Sequence, residues 1–169
     1  MNILLTGSTG ALAGPIAHKL QSAGHRVIGV SRNPEYAQKK LATLMHIIPW
    51  RELTTRFFYL QRIDAIMNLA GAPMMQRWNA RNKAVILHSR LDTTALIYNL
   101  LRQLPECMRP ECVINASSVS IYSSCALPVD EFSAIRPDAT FFQSQVWHAV
   151  ERRISELQVP GVRTVIARL

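Results

Sequence analysis

Lysine is scarce in this chain of 169 residues. It occurs only at positions 19, 39, 40 and 83, so chemistry that needs an ammonium group from the second half of the chain is excluded. Cysteine is scarcer still: Cys107, Cys112 and Cys125 form an odd, widely spaced set without the paired ligand spacing of a zinc site. Free thiols and a reducing, cytoplasmic compartment follow as expectations. The opening residues have no basic leader and the chain has no apolar run of membrane-spanning length, so secretion and membrane insertion are disfavoured. Aromatic residues make up 7% of the chain and are not interleaved with basic ones, which argues against a nucleic-acid face.

What remains is ordinary globular material, 49% apolar and 18% charged, in a length suited to one domain with a real core. The formal charge of +8 is spread from Lys19 to Arg168, mostly as arginine. Such a surface draws anions, and a polyanionic cofactor and a nucleic acid both answer to that description. A homo-oligomer is compatible with it.

Apolar runs at 2–6, 26–31, 46–49, 64–70, 112–117 and 163–167 are nearly continuous, as strands covered on both faces are. Helical patterns lie between them at 11–23, 34–43, 52–60, 79–104 and 139–157. Alternation of this kind implies βαβ units with right-handed crossovers. The expected fold is α/β, a Rossmann-like doubly wound parallel sheet, with residues 1–169 as one nucleotide-binding domain. The long irregular stretch at 118–138 follows the fifth strand, where a loop borders a ligand in such sheets. The closing segment RTVIARL reads as an edge strand, from which the front part of a longer protein is expected.

The stretch ILLTGSTGALAGPIAHKL sets Gly7, Gly10 and Ala13 at G-x-x-G-x-x-A spacing between a strand and a helix. Gly7 suits the sharp turn, Gly10 lets a pyrophosphate reach the main chain, and Ala13 lets helix and strand pack closely. The helix start then offers free N–H groups and a dipole to the anion. Where dinucleotide folds place an acid on the adenosine ribose, this chain has Ser31 and Arg32. An acid repels a 2′-phosphate, whereas a hydroxyl and a guanidinium bind one, so NADP is favoured over NAD. A strand-to-helix turn without a ligand, and a solvated Arg32, are the plainer alternatives.

The segments TGSTGALAG, VSRNP, DAIMNLAGAP, RWNARNKAVILHSRLDTT and VINASSVSIYS occur in an order and spacing that resemble the extended short-chain dehydrogenase/reductases of the NAD-dependent epimerase/dehydratase family. The likeness is greatest to its atypical epimerase-like branch, labelled nucleoside-diphosphate-sugar epimerase, and it covers essentially the whole chain. It implies an NADP(H)-binding domain and a C-terminal substrate region beyond the residues present. By the same resemblance Gly7, Thr9, Gly10 and Leu12 match the phosphate loop, and Ser31 with Arg32 the 2′-phosphate pair. Leu69, Ala70 and Gly71 match the segment against the cofactor, and Arg90 an arginine of the long helix that reaches it. Glycine is usual in the family where this chain has Ala13, Ser120 and Ser123, so a narrowed cofactor groove is expected.

The resemblance also implies a catalytic Ser or Thr, a Tyr, and a Lys four residues after it that lowers the phenol pKa. Ser117, Ser118 and Tyr122 match the hydroxyl positions after the fifth strand. The lysine has no counterpart: Gln143 and Trp147 stand where the Tyr-x-x-x-Lys pair belongs, and the match at Tyr36 to Lys40 follows the second strand instead. His148 is an alternative donor, with a plain packing role as its rival. Three readings follow. The first is an NADP(H)-binding, epimerase-like oxidoreductase acting on a sugar-nucleotide or carbonyl substrate. The second is a noncatalytic dinucleotide sensor or regulatory module, and the third a basic nucleic-acid-associated protein.

Overall fold

In the computed structural model, residues 1–41, 46–122, 128–135, 138 and 140–169 are described. Among them the chain forms six strands, β1 (Asn2–Thr6), β2 (Arg26–Ser31), β3 (His46–Pro49), β4 (Ala65–Asn68), β5 (Cys112–Ser117) and β6 (Arg163–Arg168). Five α-helices alternate with them: α1 (Ala13–Ser22), α2 (Pro34–Leu41), α3 (Thr55–Gln61), α4 (Ala80–Gln103) and α5 (Phe142–Glu156). The strands pair in parallel in the order β3-β2-β1-β4-β5-β6. This is the doubly wound Rossmann arrangement, in which strand order reverses at the β1/β4 junction and leaves a crevice at the carboxyl edge.

The continuous apolar strands are explained by two cores, one on each face. Leu5, Val27 and Ile47 pack with Ala13, Ala17, Ala37 and Leu41 of α1 and α2. Leu4, Ile28, Ile66 and Val113 pack on the opposite face with Phe58 of α3, Ile86 and Ile97 of α4, and Val146 and Val150 of α5. Successive residues of β1 thus face opposite cores, so neither face of the strand can be polar.

Helix boundaries follow their caps. Asn79 accepts the Asn82 N–H at 2.8 Å and opens α4, while Thr54 does the same for α3. Arg62 closes α3 in the left-handed conformation at φ 50°. The strand expected at 64–70 is shorter, because Leu69 and Ala70 leave the ladder: the Ala70 N–H turns to Thr6 Oγ1 at 3.3 Å. The helix expected from residue 11 begins at Ala13, since Ala11 and Leu12 belong to the turn closed by Ala13 N–H on the Gly10 carbonyl. No helix among the described residues is long and apolar enough to cross a membrane.

Candidate functional site

The turn after β1 is shaped by steric contact. Gly7 holds φ +70°, and a Cβ there would lie 2.7 Å from the Leu69 carbonyl oxygen, inside the main chain that leaves β4. Any side chain would push β1 and β4 apart at their carboxyl ends. The Gly10 N–H bonds the Gly7 carbonyl at 2.8 Å, and Ile16 N–H bonds Leu12 to start the helical ladder. Among the described residues, the N–H groups of Ala11 and Leu12 find no acceptor within the chain. These are the orphan donors of a helix start, open to an anion.

A groove of about 340 Å³ runs across this switch point. Gly7, Thr9 and Gly10 border it at the turn, Ser31 and Arg32 at the end of β2, and Leu69, Ala70 and Gly71 after β4. Of the residues expected at a cofactor site, these eight come together. Leu12 does not border the groove; it caps α1 with its side chain 48% exposed. Arg90 lies in a smaller adjoining pocket of about 40 Å³, whose wall shares Leu69 and Ala70 with the groove.

Ser31 is buried, and its hydroxyl donates to the Asn33 carbonyl at 3.1 Å while accepting the Asn33 N–H. Its role is to shape the β2 loop, leaving the exposed Arg32 guanidinium as the cation of this end. Ala13 is buried in the core beneath α1, and neither it nor Ser120 borders the groove. The Ala13 methyl packs into the α1 core and not toward the groove. Ser123 lies outside the described residues, as does Cys125.

The hydroxyls at the end of β5 and just beyond it have internal partners. Ser117 is 3% exposed and donates to Glu151 Oε1 at 2.6 Å. Ser118 shares a hydrogen bond with Ser120 at 3.0 Å and donates to the Leu169 carbonyl. The Tyr122 phenol donates to the Asp130 carbonyl at 2.8 Å and accepts from Arg168 Nη1. None of the three borders the groove or the small pocket. His148 lies on another face of α5, in a shallow depression with Leu91, Arg152 and Glu156.

Two features escape sequence reasoning. Trp50, Ala72, Pro73, Ser89, Asp92 and Thr93 also border the groove. The position of Trp50 directly after β3, and the S-R-x-x-T-T run on α4, are signals that could have found them. The second feature is a buried polar chain through the sheet. Thr6 donates to Asn68 Oδ1 at 2.8 Å, Asn68 Nδ2 reaches Asn115 Oδ1 at 3.3 Å, and Asn115 donates to the Tyr98 hydroxyl at 3.0 Å. Each amide finds both donors and acceptors inside, so the sheet carries them without an unsatisfied group. Burial pushes the Tyr98 phenol above its ordinary value, which keeps it neutral.

The family model for the NAD dependent epimerase/dehydratase family matches residues 3–153. The epimerase family protein YfhF of Bacillus subtilis (strain 168) is 32% identical over 168 residues, covering 99% of this chain and 54% of the relative. A crystal structure of the human epimerase family protein SDR39U1 with NADPH superposes with a TM-score of 0.77 at 28% identity, covering 99% of this chain and 53% of that one. UDP-glucuronic acid 4-epimerase from Bacillus cereus, in complex with NAD, shares the fold at a TM-score of 0.77 and 18% identity. The chain thus spans about half the length of the relatives it matches.

Proposed function

Because the chain belongs to the NAD dependent epimerase/dehydratase family, we propose that residues 1–169 form a nicotinamide-dinucleotide domain that prefers NADP(H). The observation that carries this reading is the groove across the β1/β4 switch point, bordered by a turn whose Gly7 leaves no room for a Cβ. Gly7, Thr9 and Gly10 would hold the pyrophosphate, with the N–H groups of Ala11 and Leu12 at the mouth of α1. An exposed anion gains about 0.3–1 kcal/mol at such a helix start, and up to ~2 when partly buried. Arg32, exposed and without a carboxylate partner among the described residues, would take the 2′-phosphate. The human SDR39U1 structure with NADPH supports the phosphorylated cofactor, while the NAD complex of the Bacillus cereus epimerase supports only the dinucleotide class.

Bound NADP(H) supplies hydride chemistry; this chain's residues bind and orient it. Leu69, Ala70 and Gly71 would floor the nicotinamide half. With a sugar-nucleotide or other carbonyl substrate, the whole protein would then work as an epimerase-like oxidoreductase, with Ser117 at the end of β5 and Ser118 and Tyr122 beyond it as its candidate catalytic hydroxyls.

A second reading, a noncatalytic NADP(H)-binding sensor, is favoured by one observation: all three of those hydroxyls are engaged internally and border neither cavity. Calorimetric titration with NADPH and NADH tests the common premise, and a Kd at least tenfold lower for NADPH is expected. Absence of heat with either nucleotide at millimolar concentration overturns it. Oxidation of NADPH across sugar nucleotides, quinones and aldehydes then separates enzyme from sensor.

A further inference from the structure

Among the described residues Arg90 is a cation without a counterion. It is partly buried between α4, α5 and the segment after β4, and no carboxylate among the described residues lies within ion-pairing distance. Among the described residues one of its five N–H donors is engaged, Nη1 to the Ile86 carbonyl at 2.8 Å. Desolvation pulls its pKa down from the ordinary value. Removing a guanidinium from water without a partner is unfavourable, so something must hold it there.

Two contacts do. The Arg90 Cζ sits 4.9 Å from the centroid of the Trp147 ring, a cation–π geometry. Gly71 is also close to it, where a Cβ would stand 2.8 Å from Cζ and 3.1 Å from Nε. The guanidinium thus packs against an indole and near a bare main chain, and Arg90 lines the small pocket together with Asn68, Thr94 and Asn115. That pocket adjoins the groove through Leu69 and Ala70 and lies on the β4/β5 side of β1, whereas Arg32 lies on the β2 side. A ligand that spans the groove with its adenosine at Arg32 brings its other end to Arg90. At about 40 Å³ the pocket admits a small polar group and not a ring.

We propose that Trp147 is a positioning residue, which holds Arg90 in the plane where its free N–H edge donates to an oxygen of the nicotinamide riboside. This rests on the dinucleotide reading above and deepens it. Fixing the fork in advance removes the rotamer freedom that a long side chain otherwise loses on binding.

The test compares two ligands, NADPH and 2′-phospho-ADP, which lacks the nicotinamide riboside, on the full chain by calorimetry. Trp147→Leu is expected to weaken NADPH about tenfold and leave 2′-phospho-ADP within twofold. Trp147→Phe restores most of the affinity, because it keeps a ring face. Arg90→Gln matches Trp147→Leu, and the double variant is no weaker than either single one. Should Trp147→Leu not fold, Trp147→Met carries the same comparison, since its flexible side chain fills the space without offering a ring face. Equal weakening of both ligands, or none of either, overturns the positioning role while the groove reading stands. If the unaltered chain binds neither ligand, the groove reading falls, and this inference with it.

Discussion

Glu151 of α5 holds Arg168 of β6 at two points, Oε1 to Nε at 3.0 Å and Oε2 to Nη2 at 2.8 Å, and the same Oε1 accepts the Ser117 hydroxyl. The pair is mostly buried, with 9% and 19% of the two side chains exposed. Arg168 also lies over the Tyr122 ring at 5.1 Å, so one carboxylate fixes β5, β6 and the turn between β5 and α5. The Glu151 hydrogen bonds raise the Arg168 pKa above its ordinary range, so the guanidinium stays charged.

Replacing Glu151 by Gln leaves a mostly buried guanidinium with no anion among the described residues. Breaking a buried pair costs about 3–5 kcal/mol, and the residual exposure of Arg168 places this one near the low end, about 3. For a chain of this size that lowers Tm by roughly 6–12 °C. A melting shift under about 2 °C contradicts the clamp.

Gly7 and Gly24 both have positive φ, +70° and +81°, yet only Gly7 is enclosed, since nothing lies within 4 Å of a Cβ at Gly24. Gly24→Ala is expected to cost only the left-handed strain, about 1–2 kcal/mol. Gly7→Ala adds overpacking against Leu69 and is expected to cost about 2–5 kcal/mol and to abolish dinucleotide binding. Urea denaturation of the two variants checks the ordering, and equal losses contradict it.

Arg32→Glu replaces a 2′-phosphate partner with a repelling charge. One charged hydrogen bond is worth about 1.5–3 kcal/mol, so NADPH affinity is expected to fall roughly 10- to 100-fold while NADH changes little. Parallel titrations measure the ratio. A preserved preference for NADPH assigns the 2′-phosphate to another group.

Asp138 accepts both the Thr140 hydroxyl, at 2.6 Å, and the Thr140 N–H, at 2.8 Å, ahead of α5. The Thr140 side-chain bond comes first among the causes that lower its pKa. Because the folded value lies below the unfolded one of about 3.9, this local contact is fully present above that pH and is lost as pH falls through the lowered value. The Thr140 amide NMR signal is expected to titrate below pH ~3.9 and to stop titrating in Asp138→Asn. A midpoint at or above that value removes the contact.

The fold was legible where the chain speaks locally. Asn79 and Leu104 bound the long helix in sequence as they do in space, and four of the six strands keep the limits that their apolar runs define. The eight groove residues were readable because they stand at strand ends, where a motif and its place in the sheet coincide. Partners far apart in sequence were not. Nothing near Asn68 announces Thr6, 62 residues earlier, and nothing near Glu151 announces Arg168. Trp147 could be noted only as a missing lysine; that it faces Arg90, 57 positions away, is a property of how α4 and α5 pack.

The sheet's centre has a kinetic consequence. β1 pairs with β2 in a register that sets Asn2 beside Arg26, but with β4 in one that sets Ile3 beside Ala65. The first closure can form early as a self-contained βαβ segment, whereas the second must enclose that whole segment before its first rung exists. Chain synthesis delivers the two in that order, so a truncated nascent chain ending before β4 would expose one flank of β1, and the switch-point crevice would be among the last parts of the molecule to acquire its shape.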